Sequence, residues 1–237
     1  MNQVTLGRME QLSYAKRESL NTLRTNISFC GDDIKVIVVT SCTPDEGKSS
    51  TVIDLGRSLA ENAKSVLIID CDLRKSVLAG RHHAKVKGGE MKGLTHYLTG
   101  QATLEDVLLE TNIPKLDMIF AGRMTPSPTE LLGNNHFKSL IEKARLVYDV
   151  ILIDSPPLGS VIDTAIVAPQ CDGAILLIES NKNSYRFAQN IKKQLELTGV
   201  RILGAILNKV EEEVGGYHNR YYQAYQKEYY GHNDKTQ

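Results

Sequence analysis

The sequence predicts an α/β fold, a doubly wound, mostly parallel sheet with flanking helices. Three observations predict it. Short β-branched runs alternate with helix-patterned stretches, the order that builds βαβ units. Most of these runs are apolar continuously rather than at every second residue, which marks strands covered on both faces. The first run also opens into a Gly-Lys-Ser turn that leads into a helical pattern.

The elements follow in order. Residues 1–34 form an N-terminal helical segment, in which Ser13–Phe29 carries Leu20, Leu23 and Ile27 on one stripe. That helix either packs on the domain edge or meets another subunit. The expected strands are Val36–Thr40, Ser65–Asp70, Leu116–Ala121, Val150–Asp154, Ala174–Glu179 and Ile202–Asn208. Helices are expected over Ser49–Asn62, Asn135–Val147, Ser160–Ala168 and Ser184–Thr198. In the last, Phe187, Ile191 and Leu195 recur every four residues and imply one buried face. Residues 35–210 thus make one domain, with ligands expected at the carboxyl ends of its strands. Beyond it, residues 211–237 hold Tyr217, Tyr221, Tyr222, Tyr225, Tyr229 and Tyr230 and few aliphatic residues. No core can form there, and the segment reads as a flexible tail.

Composition narrows the function. Lys plus Arg number 28 and Asp plus Glu number 28, so nothing argues for a nucleic-acid partner. The four cysteines, Cys30, Cys42, Cys71 and Cys171, form no C-x-x-C pair and read as reduced thiols of a cytoplasmic protein. The N-terminus lacks an apolar signal core, and no apolar run approaches the length of a membrane span.

Chemistry concentrates at three strand ends. The stretch "SCTPDEGKSS" lies between strand and helix, where backbone N–H groups and a helix N-terminus attract phosphate. Its residues Thr43, Pro44, Asp45, Glu46, Gly47, Lys48, Ser49 and Ser50 form the expected nucleotide-binding set. Gly47 allows close approach, Lys48 neutralises β- and γ-phosphate oxygens, and Ser49 ligates Mg²⁺. Cys42 stands where G-x-x-x-x-G-K-[ST] has its first glycine. The stretch "VLIIDCDLRK" ends a strand in Asp70 and Asp72, which two-residue spacing would place on one face. One carboxylate suits a metal and the other a proton. The stretch "VILIDSPP" ends in Asp154, the Walker-B acid that holds Mg²⁺ directly or through its water. Together these make a P-loop NTPase type of sheet. Asn208, ending the last strand, is placed to read a base edge. The basic stretch from Arg74 to Lys92 reads as a solvated face, and Cys42 and Cys71 as small packing residues near the nucleotide.

The three motifs together resemble those of the bacterial tyrosine kinases of capsule and exopolysaccharide production. "TPSPTELL" and "LRTNI" are also similar to family text, and the tyrosine cluster completes the likeness. The resemblance implies a kinase domain over 35–210, with ATP and Mg²⁺ as cofactors. It implies that Asp70 deprotonates a tyrosine hydroxyl, that Asp72 ligates the metal and that Asp154 does so through water. The tail tyrosines become autophosphorylation sites offered to a neighbouring copy. A ring of copies is implied, held by an E-x-x-R-x-x-R motif in which Glu18 and Arg24 fit and Asn21 replaces the first arginine. A transmembrane adaptor would recruit and activate the kinase at the inner face of the plasma membrane, and a protein-tyrosine phosphatase would oppose it. Phosphorylation would add nearly two negative charges per tyrosine, driving the tail from an acidic catalytic mouth and loosening the ring.

The competing reading is a partition- or septum-positioning-type ATPase switch without kinase activity. Such ATPases carry a signature lysine early in the loop, where this chain has Thr43, and lack a tyrosine-rich tail.

Overall fold

The computed structural model describes residues 2–7, 12–86 and 91–210. The strands are β1 (Asn2–Thr5), β2 (Val36–Ser41), β3 (Val66–Asp70), β4 (Lys85–Val86), β5 (Leu109–Thr111), β6 (Leu116–Ile119), β7 (Val150–Asp154), β8 (Gly173–Glu179) and β9 (Ile202–Asn208). The helices are α1 (Tyr14–Ser28), α2 (Lys48–Glu61), α3 (Leu78–Arg81), α4 (Leu94–Leu98), α5 (Leu104–Val107), α6 (Pro128–Leu132), α7 (Asn135–Val147), α8 (Asp163–Val167) and α9 (Tyr185–Glu196).

One sheet runs β4-β1-β5-β6-β3-β7-β2-β8-β9. From β6 to β9 every neighbouring pair is parallel. The continuous apolar runs are explained by which face each residue serves. Val36 and Val38 pack with α7 and α9, whereas Ile37 and Val39 pack with α1 and α2. Leu67 and Ile69 of β3, and Ile151 and Ile153 of β7, repeat the first choice, and their neighbours the second. Two apolar layers therefore sandwich the sheet, and alternation disappears because both faces are dry.

Several boundaries differ from expectation. β6 stops at Ile119 because the carbonyls of Phe120 and Ala121 accept from Leu94 and Thr95 at the start of α4. The helix expected from Ser160 begins at Asp163, since the N–H groups of Ser160 and Val161 close a turn on Pro157. Strand β9 is an edge, and its Leu207 is 61% exposed rather than buried on both faces. Strands β1, β4 and β5 were not anticipated. The segment 1–34 is thus a strand as well as a helix, because β1 finds its partners only beside β5 and β4.

Helix α1 is capped by Ser13, whose hydroxyl accepts from Lys16 N. It lies along α2, where Arg24 Nη1 donates to Ser58 Oγ at 3.1 Å and Lys16 pairs with Asp54. Glu18 accepts from Asn21 Nδ2 at 3.1 Å. Both motif residues are therefore engaged within the chain. No helix among the described residues is long and apolar enough to cross a membrane.

Candidate active site

The loop between β2 and α2 wraps around the N-terminus of a buried helix. Gly47 caps α2 at φ +90°, and a Cβ there would come within 2.3 Å of Asn208 Nδ2. Only glycine satisfies both conditions. Asp45 also adopts a left-handed φ of +62°. The Glu46 carboxylate turns inward and accepts from Thr43 N at 2.9 Å, from the Thr43 hydroxyl and from Asn183 Nδ2. Asn208 Nδ2 donates to the Glu46 carbonyl at 2.8 Å, so its amide secures the loop. The glycine missing at Cys42 has a counterpart elsewhere. A Cβ on Gly159 would come 2.1 Å from the Cys42 carbonyl oxygen, so Gly159 makes the room. The sequence signal for that was only a glycine after Pro-Pro-Leu.

Strands β3 and β7 are parallel neighbours with Asp70 opposite Asp154. Lys48 Nζ donates to Asp154 Oδ1 at 2.6 Å, both side chains being buried. Asp70 is fully buried. Its Oδ1 accepts from Asp72 N at 3.1 Å and its Oδ2 from the Ser76 hydroxyl. Burial, and next the charge of Asp154, push its pKa up to about 7. Asp72 reaches the site differently from the strand-face argument. The strand ends at Asp70, and Asp72 sits in the following turn, its Oδ1 accepting from Arg74 N and Lys75 N. That turn brings it into the crevice.

The crevice encloses about 200 Å³ between Pro44–Ser49 on one wall and Asp72, Arg74, Lys75 and Arg81 on the other, with Pro156 and Pro157 below. The expectation of an acidic mouth is corrected here. The mouth is mixed, since Arg74, Lys75 and Arg81 line it with Asp45 and Asp72, while Glu46 is turned inward. The solvated reading of this basic stretch also fails in part. Arg74 grips buried Asp163 through Nε at 2.6 Å and Nη2 at 2.9 Å, and Arg81 donates to Ser50 Oγ at 2.9 Å. The Thr129 hydroxyl adds a third bond to Asp163, which gives "TPSPTELL" a structural role. Beneath Pro156, the Thr40 and Thr164 hydroxyls both donate to its carbonyl, and Thr164 also reaches Ser155. None of Gly159, Thr129, Asp163 or Thr164 was picked out as a site residue from sequence.

Cys42 and Cys71 are fully buried, and burial raises both thiols, Cys42 to about 11. They are packing residues. A larger cavity, of about 560 Å³, lies at the opposite end of the sheet between α5 and α7, far from these groups. The tyrosine cluster from Tyr217 to Tyr230 lies outside the described residues.

The family model described as an AAA domain matches residues 34–207. A tyrosine-protein kinase, CpsD of Streptococcus agalactiae, is 42% identical over 209 residues, covering 87% of this chain and 90% of that protein. The chain belongs to the bacterial tyrosine kinases. The solved kinase domain of the Escherichia coli tyrosine kinase ETK superposes with a TM-score of 0.79 at 28% identity, covering 88% of this chain and 84% of that one. A septum site-determining protein of Pyrococcus horikoshii, solved with Mg-ADP, shares the fold alone, with a TM-score of 0.62 at 23% identity over 81% of this chain and 76% of that one. This tyrosine kinase thus shares its fold with that protein and carries Thr43 in its loop.

Proposed function

We propose that this kinase transfers a phosphoryl group from Mg-ATP to tyrosines of its own C-terminal cluster, Tyr217, Tyr221, Tyr222, Tyr225, Tyr229 and Tyr230, offered by a neighbouring copy. The observation that carries the reading is Asp70: a buried carboxylate poised near pH 7, beside a lysine-bearing anion loop. The residues present fit the cofactor. The N–H groups of Asp45, Glu46 and Gly47 have no acceptor among the described residues, and Lys48 Nζ, which donates to Asp154 Oδ1 at 2.6 Å and to Ser49 Oγ at 3.5 Å, lines the same crevice. When bound, Mg-ATP supplies the phosphoryl group and the divalent charge that relieves the Asp70–Asp154 repulsion.

The chain's groups then divide the work. Lys48 exchanges Asp154 for phosphate oxygens. Ser49 and Asp72 would hold the metal, and Asp154 would hold it through water. Thr43, Pro44, Asp45, Glu46, Gly47 and Ser50 shape the cradle, and Asn208, whose Nδ2 is occupied by the loop, offers its Oδ1 to the base. Asp70 takes the phenolic proton; a free phenol, with pKa about 10, does not lose it at neutral pH. The basic rim of Arg74, Lys75 and Arg81 suits a phosphate-rich and acidic clientele. Recruitment to the inner membrane face by a transmembrane adaptor, a ring of copies touching through Glu18 and Arg24, reversal by a phosphatase and control of capsular polysaccharide belong to the same proposal. They are supported by the kinship with capsule-type kinases.

Intact mass after incubation with Mg-ATP tests it. We expect added phosphates that vanish on truncation after Glu213. Asp70→Asn keeps nucleotide binding and loses phosphorylation. ATP turnover without mass gain would instead establish the switch reading, and an active Asp70→Asn enzyme would remove Asp70 from the base role.

A further inference from the structure

The outer side of the phosphate loop is gripped by side chains from a different part of the sheet. Lys182 Nζ, from the turn after β8, donates to the Pro44 carbonyl at 2.7 Å. Lys209 Nζ, one residue beyond β9, donates to the Asp45 carbonyl at 2.7 Å. Asn208 Nδ2 holds the Glu46 carbonyl at 2.8 Å. Both ammonium groups lie 3.1 Å from the same Glu179 oxygen, which ties the two braces together.

These carbonyls belong to consecutive peptide groups. In a planar trans peptide the C=O and the N–H point in opposite directions. A carbonyl drawn outward therefore turns the next residue's N–H inward. Pro44 O outward means Asp45 N–H inward, Asp45 O outward means Glu46 N–H inward, and Glu46 O outward means Gly47 N–H inward. Those are the N–H groups that lack a protein acceptor among the described residues. A cation on the oxygen also polarises the peptide, so its N–H becomes a stronger donor. The grip offsets the cost of the left-handed backbone at Asp45, φ +62°.

We propose that Lys182 and Lys209, oriented by Glu179, are positioning residues of the nucleotide site, acting through the Pro44 and Asp45 carbonyls to aim and strengthen the amide donors that receive the phosphates. The inference rests on the nucleotide-binding reading above and adds residues that lie outside the P-loop and Walker motifs. It also gives the chain immediately before the tyrosine tail a direct hold on the phosphate loop.

The experiment titrates the full chain with Mg-ADP and measures KM and kcat for Mg-ATP. Lys182→Met and Lys209→Met should each weaken Mg-ADP binding about ten-fold, as for loss of one charge-assisted bond. KM should rise by the same factor, with kcat within about three-fold, because the chemistry at Asp70 is untouched. Lys182→Arg and Lys209→Arg should restore affinity, since a guanidinium also donates to a carbonyl. In ¹⁵N-labelled protein the Asp45 amide should shift upfield in Lys182→Met and the Glu46 amide in Lys209→Met, a readout of each single variant that needs no nucleotide. Wild-type affinity in both Met variants, or unmoved loop amides, overturns the inference. A wild-type chain that fails to bind Mg-ADP overturns the nucleotide reading itself.

Discussion

At the amino end of the sheet, Asp172 accepts from Lys35 N at 2.9 Å, Val36 N at 2.8 Å and Arg145 Nη1 at 2.7 Å. At the carboxyl end, Asp70 has a hydroxyl and one backbone N–H, faces Asp154 and is wholly buried. Burial raises Asp172, yet the bonds from Arg145, Val36 and Lys35 outweigh it and hold the carboxyl below its ordinary value. Asp149, beside it at the same end, is lowered by the Ser65 N–H and hydroxyl. Asp70 is driven the other way, to about 7. Asp172 and Asp149 thus close strand starts at one end, whereas Asp70 is left with unrelieved charge opposite Asp154 at the other. The unrelieved end is where a cation and a proton acceptor are wanted.

The most damaging way to test this contrast is Lys48→Met. It removes the cation that Asp154 holds and should lower phosphoryl transfer about a thousand-fold or more while the fold survives, checked by mass gain and circular dichroism. A merely structural Lys48 would give the reverse result.

Next comes stability against pH, in chelator. The Asp70 carboxyl is raised from 3.8 to about 7 in the folded chain, so the folded state binds the extra proton between those values. Wild-type stability should therefore fall, relative to Asp70→Asn, as pH rises through that window, by on the order of a few kcal/mol. Asp172 has the opposite sign. Its contribution is present above its unfolded pKa and is lost as pH falls through the lowered folded one. Urea midpoints of wild type, Asp70→Asn and Asp172→Asn across pH 3 to 8 check both slopes. Parallel slopes would erase the contrast.

Asp172→Ala should cost about 2–3 kcal/mol, because it orphans two N–H groups at the start of β2 and the Arg145 guanidinium. Specific activity of the folded fraction should not change. Smallest of all, Cys42 and Cys71 should resist iodoacetamide at pH 8, because both are fully buried with raised thiols. That silence would confine the difference between the two ends to carboxylates.

The inner strands, the helix after the phosphate loop and the three acids at two strand ends were legible in sequence. Each is a local pattern: an apolar run, a glycine before a lysine, an aspartate after Val-Ile-Leu-Ile. What the sequence hid depends on pairing between distant residues. β1 exists because β5 and β4 flank it, and β9 is exposed because no strand follows it in the sheet. Arg74 looked solvated until the fold delivered Asp163, and no sequence pattern singles out Lys182 and Lys209, which only β8 and β9 set against Pro44 and Asp45. The sequence by itself determined which chemical groups the strand ends and the phosphate loop carry, since chemistry resides in residue type. Only the tertiary structure decided which of them are buried, braced or opposed, because those energies depend on separations and desolvation that no stretch of chain specifies alone.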